Sequence, residues 1–266
     1  MITVITSADN RTVKMAASLS EKKYRDREGL YLAEGPNLVR DALSVGKARF
    51  IFLRAESESA EAAELATEAD SKGLAVYRVS NNVFEKISDT QTPQDILAAV
   101  EKPAITRDAF FEECGDRNIL VLDRVQDPGN VGTLLRSAEA ADFGGALVIK
   151  GSGDPFSPKA VRASASSCMR LPLIFAESVN DALAILRSRG KKVFASAMKE
   201  GTVYYRADLR SNAALVVSNE GNGATEELLG SADEILNIPM GGQVESLNAA
   251  LAAVVILFES RRQRTE

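Results

Sequence analysis

Three stretches of this chain set glycine, asparagine, hydroxyl, carboxylate and arginine side chains directly after a run of apolar residues. The first is DPGNVGTLLRS, residues 127–137, following NILVLDRV. The second is SNEGNG, residues 218–223, following AALVV, and the third is IPMGGQVESLN, residues 238–248, following EILN. An apolar run that breaks at a glycine-rich corner is the pattern of a parallel strand handing over to a loop or helix. Ligands of open α/β proteins sit outside the carboxyl ends of such strands. Gly221 and Gly223 would let backbone approach a ligand closely. Alone, each corner reads equally well as an ordinary turn; the first is a helix with Asn130 at its N-cap and Arg136 on its surface. Three corners in one domain favour a shared pocket.

The chemistry open to that pocket is narrowed by an absence: the chain has no histidine. That removes the commonest general base near neutral pH and the commonest metal ligand. Two cysteines, Cys114 and Cys168, make neither a disulfide framework nor a metal set. Cys168 has no histidine to activate it and reads as a small buried hydrophobe. No metal is expected. A dinucleotide fingerprint would need Gly-x-Gly-x-x-Gly between strand and helix, but the first corner offers only Gly129 and Gly132, and the second lacks a third glycine. The Gly-Lys-Ser/Thr of a P-loop is also missing, so a nucleotide-dependent oxidoreductase is a distant alternative.

The elements that must carry the corners can be read from periodicity. Strands are expected at 118–122, 146–149, 192–197, 213–218 and 233–238, and helices at 131–142, 158–170, 180–189 and 246–264. In the first helix Val131, Leu134, Leu135 and Ala138 form the buried stripe, which turns Arg136 outward. Ser157 followed by Pro158 suits an N-cap and first helical position. The last helix carries Leu247, Ala250, Leu251, Val254 and Phe258 as its apolar stripe. Strand–helix alternation implies a mainly parallel sheet covered on both faces.

Upstream lies a smaller α/β unit, with strands expected at 30–35, 48–54, 74–79 and 95–100 and helices at 36–44 and 59–73. The expected organisation is a domain over 1–104, a linker over 105–117 and a second domain over 118–266. The formal net charge of −5 is unevenly spread. Residues 1–54 hold 10 Lys and Arg against 6 Asp and Glu, residues 55–115 hold 5 against 13, and the remainder 17 against 18. A basic end permits phosphate contacts on an acidic protein, although a solvated helix face would look the same. The longest apolar run, LAAVVILF, is too short to span a bilayer, and the first residues lack the order of a secretory signal. A cytoplasmic location is the expectation.

Taken together, DPGNVGTLLRSAEAADFGG, LVVSNEGNG and IPMGGQVESLNAALA resemble the three motifs of the SpoU/TrmH family of RNA ribose methyltransferases, in the SPOUT superfamily. SPKAVRASASSCMRLPL resembles the family's linking segment, and the beginning of the chain resembles a substrate-binding domain similar to a small ribosomal protein that binds kinked RNA. The resemblance implies an α/β fold with a deep carboxyl-terminal trefoil knot, a rarity among proteins. It implies a homodimer, S-adenosyl-L-methionine as methyl donor, and RNA as substrate, with ribosomal RNA favoured over tRNA. Arg136 matches the catalytic arginine, which the family mechanism often casts as the base; its high pKa favours binding phosphate and stabilising the developing alkoxide. Asn130, Glu220, Ser246 and Asn248 match the polar residues that orient it. Ala197, Ser218, Gly221, Ile238, Met240 and Leu247 match positions around the donor. Ser218 and Ser166 stand where the family commonly has glycine. For RNA contact the expected residues are Asn10, Arg11, Lys14, Lys22, Lys23 and Arg25. A non-catalytic RNA-binding or assembly factor that kept the knot is the alternative from another class.

Overall fold

The computed structural model describes residues 2–197, 201–219, 223–243 and 247–265. It divides into two compact units, one of Met1–Pro103 with Phe156–Arg170, the other of Ala104–Pro155 with Leu171–Glu266.

In chain order the first unit contains β1 (Ile2–Ile5), α1 (Arg11–Ser18), α2 (Lys22–Glu28), β2 (Leu30–Glu34), α3 (Pro36–Ser44), β3 (Ala48–Arg54), α4 (Ala60–Ser71), β4 (Ala75–Val79), α5 (Asn81–Ile87) and β5 (Ile96–Glu101). Its sheet runs β1-β4-β3-β5-β2, parallel from β1 to β3 and antiparallel across β5 to β2. Phe50, Phe52 and Leu97 pack with Val13, Ala16, Val83 and Phe84 in one buried cluster, which is where α1 and α5 cover the sheet. β1 falls outside the expected strands. As an edge strand it leaves Ile2, Thr3 and Val4 exposed and lacks the alternation of a half-buried strand.

The second unit begins with α6 (Arg107–Cys114), β6 (Ile119–Asp123), α7 (Pro128–Ala140) and β7 (Gly145–Ile149). The chain then returns to the first unit for α8 (Pro158–Ser164) and α9 (Ser167–Arg170). It resumes the second with β8 (Leu173–Ala176), α10 (Val179–Arg187), β9 (Lys192–Ser196), β10 (Thr202–Val203), a 3-10 turn (Tyr204–Arg206), β11 (Ala213–Ser218), α11 (Glu226–Ser231), β12 (Glu234–Asn237) and α12 (Ala249–Thr265).

Seven strands form a wholly parallel sheet in the order β10-β12-β9-β11-β6-β7-β8. β6, β7 and β11 are buried at every residue, which is why they read as unbroken Val/Leu/Ile/Ala runs. Alternate residues of β6 serve opposite faces: Ile119 and Val121 join Phe110, Leu183, Leu186 and Leu228 on the side of α6, α10 and α11. α7 and α12 pack against one another.

Several elements depart from expectation for local reasons. The expected linker contains α6, capped by Thr106 and buried through Phe110, Phe111 and Cys114. Eight residues are too few to display a helical period among so many charges. The helix expected over 158–170 starts as foreseen, with Ser157 as N-cap and Pro158 in the first turn. It breaks at Ala165 and Ser166, whose φ values are 44° and 70°. Segment 156–170 is fastened by the Tyr31–Phe156 ring contact at 5.0 Å and by Arg162–Asp89 and Arg170–Asp41 ion pairs. The expected boundaries were contiguous; the compact units are not. α12 begins at Ala249 and buries Ala250, Ala253, Ile256, Leu257 and Ser260. Leu247, Leu251 and Phe258 of the expected stripe are instead exposed. The expected knot is a path that includes residues 220–222 and 244–246, outside the described residues.

Candidate active site at the carboxyl edge of the parallel sheet

The last rung of the sheet is polar. Ser218 ends β11 in register with Asp123, the end of β6, and Asn237 ends β12 in register with Val203 of β10. Carrying the register of Val216 with Ala195 two steps on, and that of Leu236 with Ser196 one step on, places Ala197 between Ser218 and Asn237. The Ala197 N–H donates to the Leu236 carbonyl at 2.9 Å. Asp123 is fully buried and Ser218 nearly so. Two of the expected donor-site positions, Ala197 and Ser218, thus share one level at the edge where ligands of parallel sheets bind. Ser218 has the backbone of an ordinary strand residue and is not among those with positive φ. Serine in place of the family's glycine is therefore compatible with this position.

At the first corner the helix starts earlier than expected. Asp127, not Asn130, is the N-cap: its carboxylate accepts from the N–H groups of Gly129 (2.5 Å) and Asn130 (3.2 Å), and Pro128 occupies the first turn. Proline there has no N–H to leave unpaired, and its fixed φ suits the helix. Asn130 accordingly lies inside the first turn of α7 and is half-buried. Arg136 is exposed on the same helix, while Val131, Leu134, Leu135 and Ala138 are buried as expected.

The first two corners are stitched together by residues that no motif had singled out. Arg124, in the left-handed region at φ 55°, donates from Nε (3.0 Å) and Nη2 (2.9 Å) to the Asp123 carboxylate. Nη2 also reaches the Gly223 carbonyl at 3.3 Å, and the Asn219 amide donates to the Arg124 carbonyl at 3.2 Å. The signal available in the sequence was an acid and a base at the end of a fully apolar strand. Glu220 and Gly221 of this corner lie outside the described residues.

In the third corner Ile238 and Met240 follow β12 and are half-buried. Asn248 is the N-cap of α12, its side-chain oxygen accepting from Ala250 (2.9 Å) and Leu251 (3.3 Å). Leu247 beside it is exposed, and Ser246 lies outside the described residues. A donor such as S-adenosyl-L-methionine needs polar partners at a largely apolar edge. Among the described residues, the Ser218 hydroxyl and the Asn237 carboxamide oxygen are buried without a hydrogen-bond partner. Leaving such a group unpaired costs roughly 1–3 kcal/mol, so their placement in one rung suits a polar ligand. The residues present fit the donor. Among the described residues no group of three or more ligating side chains could hold a metal ion.

The residues expected to touch RNA belong to the first unit. Asn10 caps α1 by accepting from the Thr12 N–H at 2.8 Å. Arg11, Lys14, Lys22 and Lys23 are exposed. Arg25 is not available: it is 3 % exposed and donates to the carbonyls of Leu19 and Ser20, both at 2.7 Å. A buried guanidinium needs acceptors, and the end of α1 supplies them.

An all-parallel sheet whose carboxyl edge gathers a polar rung, two helix starts and an outward arginine defines an α/β enzyme that binds its ligand at that edge. Residues 117–258 match the SpoU rRNA Methylase family, and residues 10–98 match the MRM3-like substrate binding domain. The chain belongs to the SpoU rRNA Methylase family. It is similar to RlmP of Bacillus subtilis, a 23S rRNA (guanosine(2553)-2′-O)-methyltransferase, with 33 % identity covering 97 % of this chain and 98 % of the relative. Among solved structures, an AdoMet-bound rRNA methyltransferase from Sinorhizobium meliloti superposes with a TM-score of 0.86 and 31 % identity, covering 98 % of each chain. The SpoU methyltransferase AviRb from Streptomyces viridochromogenes, in complex with AdoMet, gives a TM-score of 0.84 at 26 % identity, covering 97 % of this chain and 99 % of that one. The protein is an RNA methyltransferase that uses S-adenosyl-L-methionine.

Proposed function

We propose that the protein methylates a ribose 2′-hydroxyl in 23S ribosomal RNA. The observation that carries this reading is the extent of its likeness to a 23S rRNA enzyme, 97 % of one chain and 98 % of the other, substrate-binding region included. When bound, S-adenosyl-L-methionine supplies a methyl group on a sulfonium, so neither a metal nor a protein nucleophile is required. The chain's task is to align the ribose oxygen with that methyl and ease loss of the hydroxyl proton. Arg136, permanently charged and exposed on α7, suits binding of the RNA phosphate and stabilisation of the developing alkoxide. Asn130 and Asn248, with Glu220 and Ser246, are assigned to orienting it. Ala197, Ser218, Ile238, Met240 and Leu247, with Gly221, are assigned to the donor side.

The protein functions as a homodimer in this reading. Leu247, Leu251 and Phe258 of the α12 region are 40 %, 57 % and 46 % exposed, an apolar strip fitted to a second copy. Among the described residues no helix is long and apolar enough to cross a membrane, in keeping with work on ribosomal RNA in the cytoplasm. The knot is assigned to the carboxyl-terminal segment around α12.

The test has two parts. Ribose methylation mapped across 23S rRNA from cells with and without the protein should differ at one nucleotide, and an unchanged map with a changed tRNA would move the substrate to tRNA. Arg136→Ala should bind the donor as the wild type does while losing at least a hundredfold in methylation. Retained activity would remove Arg136 from the mechanism.

A further inference from the structure

The buried acid at the end of β6 has no place in the assignment above. Asp123 is 0 % exposed, and the Arg124 guanidinium lies along it through two hydrogen bonds of 3.0 and 2.9 Å. Adjacent residues on a strand normally point to opposite faces. Here Arg124 turns back onto its neighbour because its backbone is left-handed, at φ 55°. That conformation is strained for a non-glycine residue. Such strain persists where the surroundings over-determine it, and it concentrates at functional sites.

Three groups do the over-determining. The Asp123 carboxylate takes the guanidinium from below, the Gly223 carbonyl takes Nη2 at 3.3 Å, and the Asn219 amide holds the Arg124 carbonyl at 3.2 Å. Asn219 and Gly223 also bond to one another, the Gly223 N–H donating to the Asn219 carbonyl at 3.0 Å. The pair therefore holds both Asn219 and Gly223.

We propose that Asp123 is a positioning residue for methyl transfer, its carboxylate holding the Arg124 guanidinium against Gly223 so that Asn219 and Gly223 keep their places beside the donor. The proposal rests on the methyltransferase reading. Asp123 touches neither substrate nor donor; it acts through Arg124 and the backbone of Asn219 and Gly223. A charge-assisted fork is stiffer than a neutral contact, and the full burial of Asp123 leaves little water to compete for it. Loss of the fork should loosen donor binding and leave RNA binding alone.

The experiment uses the full chain with Asp123→Asn and, separately, Arg124→Asn. Asparagine at 123 keeps the volume and removes the charge. Asparagine at 124 tolerates the left-handed backbone, so it removes the guanidinium without adding strain. Donor affinity is read by calorimetry with S-adenosyl-L-methionine, and KM for donor and for 23S rRNA by methyl transfer. Asp123→Asn should raise the donor Kd and KM about tenfold with the RNA KM within twofold of wild type. Arg124→Asn should raise the donor KM at least threefold in the folded protein, with a lower melting temperature because the buried Asp123 carboxylate loses its cation.

A donor Kd within twofold of wild type in either folded variant overturns the proposal. So does a fall in kcat alone that tracks lost folded protein. Should Asp123→Asn fail to fold, Arg124→Asn decides. If the wild-type protein binds donor but methylates no ribosomal RNA, the reading of its substrate fails while the calorimetric comparison still decides the role of Asp123.

Discussion

Arg25 and Arg136 are the same residue type, each within a basic or polar stretch, and the fold buries the first and exposes the second. Arg25 is spent on the end of α1, giving charged hydrogen bonds to two carbonyls that would otherwise be orphaned by the helix terminus. Arg25→Ala should therefore destabilise the protein by about 2 kcal/mol, the scale of a lost charged hydrogen bond with buried acceptors left behind. A urea melt followed by far-UV circular dichroism reads this, and RNA affinity of the folded fraction should stay unchanged. The cysteines make a similar point about chemistry. Burial pushes the Cys114 and Cys168 thiols up to about 11, so both are protonated and inert near neutrality. Native protein should take up no iodoacetamide at pH 8, and denaturant should expose two reactive thiols. Labelling of the native protein at that pH would contradict their burial. At this scale residue types were readable and partners were not: Asp127 and Asn130 both suit an N-cap, and only the position of Pro128 in the first turn decides between them.

Elements were legible where one environment dominates them. Buried parallel strands such as β6, β7 and β11 announce themselves by unbroken apolar runs, and α7 by its stripe. Short or two-faced elements did not. β8 and β10 are edge strands of four and two residues, and α6 hides two phenylalanines among four charged residues. α12 is the instructive case, because it is apolar nearly all round for its first ten residues. Its inner face is chosen by the small Ala250 and Ala253, which allow close approach, and by Ser260. The Ser260 hydroxyl bonds to the Leu209 carbonyl and to buried Asn118. The larger Leu251 and Phe258 are left outside. Leu251→Glu with Phe258→Glu should thus leave the fold intact and shift the protein from dimer to monomer in sedimentation velocity. A monomeric wild type, or an unshifted double variant, would remove this face from the interface.

Across the whole molecule the decisive property is the uneven charge, since a net −5 would by itself oppose RNA. The excess of positive charge lies in the first 54 residues, where Lys14, Lys22 and Lys23 pair with Asp9, Asp26 and Glu21 at 2.8, 2.9 and 3.1 Å. These lysines are 58 %, 64 % and 66 % exposed, and ion pairs so exposed contribute about 0–1 kcal/mol. Phosphate can take such cations from their carboxylates with little loss. Arg25, by contrast, cannot leave its carbonyls. The expected RNA face is then Arg11, Lys14, Lys22 and Lys23, with Asn10 held as the cap of α1. Each phosphate contact removed should lower the slope of log K against log salt by about 0.7–0.9. Replacing all four by alanine should weaken 23S rRNA binding at low salt and flatten that slope by roughly two to four units. Melting temperature and donor affinity should stay at wild-type values, because none of the four side chains is buried. An unchanged slope would mean that the basic end of the chain is a solvated face and that the RNA is gripped elsewhere.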